Sequence, residues 1–226
     1  MLAALTALQQ ADTAFPSGSF AFSNGIEGLV AGNPGFDDAA LARTVTAGLR
    51  FRWAGTDRVA LILAHRAGGA TGRLAEIDAA LEAAALPEPM RTGSRRNGAS
   101  LLASHARLGT PGAAALRGAV RAGTLLGHLA TVQGALWAVL GLDERMAASV
   151  SGYLFVSGLT SAAVRLGVVG AIEAQRVLGD ALPLIATLLD EPVPEPEDGI
   201  VLTGFTPLIE IAAMRQAQAE LRLFAN

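Results

Sequence analysis

Two consecutive stretches, "AGTLLGHLATVQGALWAVLGL" (residues 122–142) and "MAASVSGYLFVSGLTSAAV" (residues 146–164), decide the architecture. Neither contains an Asp, Glu, Lys or Arg, and both approach the length of a membrane-spanning helix. One reading is a membrane hairpin over residues 122–164. The other is a helical hairpin buried among further helices, which is also apolar on all sides. Gly and Thr in both stretches, with Gln and His in the first and Ser in the second, are expensive in lipid, which favours the buried hairpin. The fold class that follows is all-α, a single-domain helical bundle of about ten helices.

The flanking sequence supports this. "MLAALTALQQAD" is a helix stopped by Pro16. Asp37 is placed to cap a run in which Leu41, Val45, Leu49 and Trp53 recur at four-residue spacing. Thr56 and Asp57 start "RVALILAHRA", and "GRLAEIDAALEAAAL" ends at Pro87 and Pro89. A longer helix with a basic face closes at Gly109. Further helices are expected over residues 113–122, 126–140, 144–165 and 168–189, the last with a break near Pro183. No alternating β-branched run bounded by turns occurs. Residues 1–189 form the helical body in this reading. Residues 190–199, "DEPVPEPEDG", are an acidic, Pro-rich linker, and residues 200–226 are a C-terminal helix and partner-docking tail of the same domain.

Composition excludes several functions. At 226 residues and 51% hydrophobic, the chain can bury a sizeable core, and a net charge of -3 gives no case for nucleic acid. All basic side chains are Arg, so the Lys of a phosphate-binding P-loop is missing. With no Cys there is neither a disulfide framework nor a thiolate metal site, and the N-terminal residues lack a basic leader, which fits a cytoplasmic protein. The three histidines, His65, His105 and His128, are not spaced to converge on a metal. Around Ser23, A-F-S-N-G falls one residue short of a nucleophile elbow. A serine hydrolase using Ser23 is thus a weak alternative, and a loop or cap serine the better reading. No catalytic residue, cofactor site or metal site is assigned. Gly123, Gly127, Gly134 and Gly141 are read as close helix packing. Arg91, Arg95 and Arg96 in "RTGSRRNG" are either a solvated face or a docking patch for an acidic partner.

The unusual passage is "AFPSGSFAFSNGIEG" (residues 14–28), where Phe15, Phe20 and Phe22 alternate with Ser, Gly and Asn. In its wider frame, "LQQADTAFPSGSFAFSNGIEGLV" resembles the N-terminal signature of the urease accessory protein UreF family, with Pro16, Gly18, Phe20, Ser23, Gly25 and Glu27 in place and Ile26 for the usual Leu. "GHLATVQGALWAVLGL", "SAAVRLGVVGAIEAQRVL" and the terminal "TPLIEIAAMRQAQAELRLFAN" are similar to later family segments in the same order. The chain departs at Gln216, where the family commonly has His, at Ala217 in place of a frequent acid, and at Asn226.

The resemblance implies an all-helical, non-enzymatic homodimer. It would bind a UreD-type (UreH) accessory protein and a UreG-type GTPase, regulate that GTPase, and support nickel insertion into apo-urease. It places partner binding on Phe20, Phe22, Ser23 and Glu27, read here as a contact surface with aromatic anchors. It places a second contribution on Arg222, Leu223 and Phe224 of the tail. Phe20 and Phe22 lie two apart, so they are not expected to share one face.

Overall fold

The computed structural model describes residues 1–85, 87–219 and 223–225. Eleven α-helices run through them, and no strand occurs among these residues. They are α1 (Leu2–Ala11), α2 (Ile26–Gly32), α3 (Asp38–Gly48), α4 (Asp57–Arg66), α5 (Thr71–Ala84), α6 (Glu88–Arg107), α7 (Ala113–Arg121), α8 (Leu129–Val139), α9 (Glu144–Arg165), α10 (Ala171–Leu189) and α11 (Pro207–Ala217).

The chain packs around α9. One apolar cluster joins the early part of α9 to α4, α5, α6 and α8, and contains Leu61, Leu74, Leu102 and Leu136. A second joins its later part to α3 and α10, and contains Leu41, Trp53, Leu159 and Ile185. Asp37 and Asp143 start α3 and α9 by accepting hydrogen bonds from the N–H groups of Ala40 and Met146 (2.8 and 2.7 Å). α9 is the one described helix with the length and hydropathy to cross a membrane, and 61% of its apolar window is buried by the other helices. α8 has 11 residues, about half of what a span requires, so the hairpin is not a membrane-crossing pair.

The stripe Leu41, Val45, Leu49 and Trp53 is buried throughout. In a regular helix each four-residue step drifts by about 40°. Here α3 passes into a π-helical turn, Leu49–Trp53, in which Ala54 N–H donates to Leu49 C=O (3.0 Å). The wider turn takes back part of that drift and keeps Trp53 on the core face.

Several expectations are corrected. The break near Pro183 does not occur: α10 continues through it. Pro183 and Gly179, whose carbonyl loses its donor, are both exposed, so water can serve that carbonyl while Ala181, Ile185 and Leu188 hold the helix on the core. Of the four glycines read as packing contacts, two are: a Cβ would lie 2.2 Å from Leu61 O on α4 at Gly134 and 2.9 Å from Val120 Cγ2 on α7 at Gly127, whereas Gly123 and Gly141 face open space. Gly123, Gly127 and Gly141 have positive φ and end or precede helices.

The acidic segment is strapped along α4 and does not hang as a free tether. Arg58 Nη1 donates to Glu191 O (2.8 Å), and Arg66 Nη1 donates to Val193 O (2.7 Å) and Glu195 Oε1 (3.2 Å). Arg66 also grips Glu144 at the start of α9 through two bonds of 2.9 and 2.8 Å, which holds the Glu144 carboxyl below its usual value.

Candidate partner-docking surface

The passage at residues 14–28 is an irregular loop that leads into α2. Gly18 (φ 82°) opens a single 3₁₀ turn, Ser19–Ala21. Gly25 (φ 92°) immediately precedes α2, where a Cβ would lie 2.7 Å from Ile209 Cγ2 of α11. Gly28 continues this approach: a Cβ would lie 2.1 Å from Ala212 O. α2 and α11 therefore meet almost backbone to backbone, which sets Glu27 beside the end of α11.

Glu27 is the centre of a clasp. Its carboxylate accepts hydrogen bonds from Leu223 N–H (2.6 Å), Phe224 N–H (3.2 Å) and Gln216 Nε2. Ala225 N–H donates to Ala21 C=O (2.8 Å). Phe224 is buried against the cluster of α3 and α10, whereas Leu223 is 56% exposed. Arg165, at the end of α9, closes the clasp from the other side. Its guanidinium lies 3.6 Å from the Phe20 ring centre and 4.2 Å from that of Phe224, and Nη1 donates to Phe20 O. A planar cation between two rings holds both without filling the space with a rigid side chain.

Among the residues expected to contact a partner, Phe20 is 68% exposed and Leu223 is also outward. Phe22 and Ser23 are buried, so in this arrangement they shape the loop from within. Ser23 is fully buried, which gives the hydrolase reading no support. Arg222 lies outside the described residues. In the sequence alone, Arg165 of the "SAAVRLG" stretch carried no assigned role. Gln216, noted there only as a departure, is the side chain on α11 that reaches Glu27.

The basic patch is partly neutralised. Arg91 Nε and Arg95 Nη1 lie 3.4 and 3.3 Å from the same oxygen of Glu82, whose other oxygen is 2.9 Å from Nε2 of the buried His128. Arg96 is exposed and makes no ion pair among the described residues. The other two histidines are also engaged: His65 Nε2 lies 2.7 Å from Leu142 O, and His105 Nε2 lies 3.1 Å from Gln10 Oε1. Trp137 Nε1 donates to the same Gln10 oxygen (3.1 Å), so His105 Nε2 must carry a proton and donate too. Burial pushes the His105 pKa down. No group of three His, Asp or Glu side chains arranged for a metal occurs among the described residues.

The UreF family model matches residues 36–182, which include the two core clusters' main helices and, of the clasp, only Arg165. Curated relatives extend the match to both ends. Urease accessory protein UreF 1 of Brucella melitensis is 31% identical over 97% of this chain and 91% of its own length. The UreF proteins of Trichodesmium erythraeum and Kocuria rhizophila are 30% and 32% identical over 98% and 100% of this chain, and over 96% and 98% of their own lengths. With α3 to α9 and much of α10 matched by the family model and nearly its whole length by these relatives, the chain belongs to the UreF family of urease accessory proteins.

Proposed function

We propose that the chain is a non-catalytic, homodimeric scaffold of urease maturation in the cytoplasm. It binds a UreD-type accessory protein and a UreG-type GTPase, modulates the GTPase, and supports delivery of nickel to apo-urease. The observation that carries this reading is the clasp. Residues from the two ends of the chain are drawn onto one surface, with Phe20 and Leu223 outward beside the Arg165 guanidinium. Aromatic rings and arginine are enriched at protein interfaces, and the exposed Leu223 adds apolar area. Arg222 belongs to the same tail and is assigned to the same partner.

Co-expression with the UreD-type homologue and affinity capture tests this. Phe20→Ala combined with Leu223→Ala should weaken capture by at least about tenfold, since truncated central anchors cost ~2 kcal/mol or more. The isolated variant should keep its helical circular dichroism, because both side chains are exposed. Unchanged capture would refute the assignment of this surface. Arg96→Glu, tested with the UreG-type GTPase, examines the basic patch separately.

A further inference from the structure

Beneath the loop of residues 17–24 lies a cavity of about 120 Å³, bounded also by the π-helical turn, α6, α8 and α9. Four aromatic side chains, Phe22, Trp53, Trp137 and Phe155, line it together with aliphatic and polar groups. Both indole N–H groups are already used, Trp53 Nε1 toward Ser151 Oγ (3.2 Å) and Trp137 Nε1 toward Gln10. The unsatisfied groups are two primary amides. Asn97 on α6 and Gln133 on α8 are each 6% exposed and line the cavity; Asn97 Oδ1 is fully buried without a partner, and the Gln133 side-chain amide makes no hydrogen bond among the described residues. Buried polar side chains are normally paired, so two unpaired amides in one wall call for an occupant.

Their chemistry narrows what it is. Each amide carries an acceptor oxygen and an NH₂ donor, so a complementary molecule offers both a donor and an acceptor. A carboxylate lacks the donor and a simple cation lacks the acceptor. Either would also bring a net charge into a chamber whose own ions, Arg52 and Asp57, already face each other at 3.7 Å. An uncharged carboxamide or lactam satisfies both requirements, and its flat amide matches aromatic walls. The volume is slightly below the ~150 Å³ of an apolar cavity that accepts benzene, so about six non-hydrogen atoms fit. We infer that this cavity is a binding site for a small uncharged carboxamide or lactam, held by Asn97 and Gln133 between the two tryptophans.

Trp53 and Trp137 are the only tryptophans in the chain, so its intrinsic fluorescence reports occupancy directly. The full chain is titrated with 2-pyrrolidinone and, separately, with cyclopentanone, a ring of equal size without the N–H. Free N-acetyl-tryptophanamide supplies the collisional baseline. A saturable change with 2-pyrrolidinone at a Kd of roughly 1–10 mM is expected, with cyclopentanone about tenfold weaker. Gln133→Leu and Asn97→Leu should each remove that preference while keeping a cooperative melting transition. The inference is overturned if 2-pyrrolidinone does not saturate, meaning the amides are served by water. Equal binding of the two rings, or a preference that survives in both variants, overturns it as well. The comparison of the two rings on the unmodified chain decides the matter even where a variant does not fold.

Discussion

Replacing Glu27 by alanine removes the acceptor for three donors at once, and the three losses differ in kind. Gln216 is buried and its Oε1 already has no partner, so losing Glu27 leaves the whole amide unpaired. That costs ~1–3 kcal/mol. The Leu223 and Phe224 N–H groups can turn to water, so their direct loss is smaller, but they fix the tail. Without them, Phe224 is retained mainly by apolar burial and its contact with Arg165, together about 2–4 kcal/mol. Ordering the backbone of three residues, 223–225, costs roughly 3–6 kcal/mol. The balance therefore tips toward release. Hydrogen exchange read by mass spectrometry on the C-terminal peptide should show protection of the 223 and 224 amides lost in Glu27→Ala. Urea unfolding should show a global loss of about 1–3 kcal/mol. Glu27→Gln keeps one acceptor oxygen and should fall between. If the terminal amides of Glu27→Ala stay as protected as in the unmodified chain, the clasp does not depend on Glu27 and the reasoning fails.

Other outcomes are as specific. Phe224→Ala should cost about 3 kcal/mol in urea unfolding without loss of helical circular dichroism, because it opens the cluster of α3 and α10 at its edge. Gly28→Val drives a side chain into the Ala212 carbonyl and should part α2 from α11, lowering stability by ~3 kcal/mol or more and weakening capture of the UreD-type protein. His105 has a folded pKa below its usual 6.5, so the unfolded chain takes up its proton first on acidification. Its stabilising contribution is complete above about pH 6.5 and is lost as pH falls toward the folded pKa, by at most ~1.4 kcal/mol per pH unit; urea midpoints at pH 7.5 and 5.5, compared with those of His105→Gln, measure it. The isolated chain, with no P-loop lysine, should bind no GTP in a calorimeter, and any change in GTP turnover should require the UreG-type GTPase.

The helical architecture was legible because caps, breakers and periodicity are local. Asp37 and the stripe from Leu41 to Trp53 announce themselves within a few residues. The exceptions were tertiary. Pro183 reads as a break until its freed carbonyl is seen to face solvent. The Pro- and Glu-rich segment reads as a tether until Arg58, Arg66 and Arg73 are found holding it, the last at 3.5 Å from Glu195. The clasp was legible only in part. Residues 14–28 looked unlike a core helix, and Glu27 stood out through resemblance. Nothing in the local sequence pairs it with Gln216, or sets Arg165 between Phe20 and Phe224, because those partners lie far apart along the chain, Glu27 and Gln216 by 189 positions. The inward turn of Phe22 and Ser23 was likewise hidden, since alternation with Ser and Gly describes an exposed loop and a cavity roof equally well.

The clasp also imposes an order of events during synthesis. Glu27 meets Gln216 across 189 positions and Phe224 across 197. At roughly 5–20 residues per second, the segment carrying Glu27 leaves the ribosome about 10–40 s before its partners are made. The helices of residues 38–189 can assemble in that interval from contacts among themselves. The surface that joins Phe20 to Leu223 cannot. A nascent chain therefore acquires its core before its clasp, and any protein that recognises the closed arrangement engages only chains whose translation has passed residue 225.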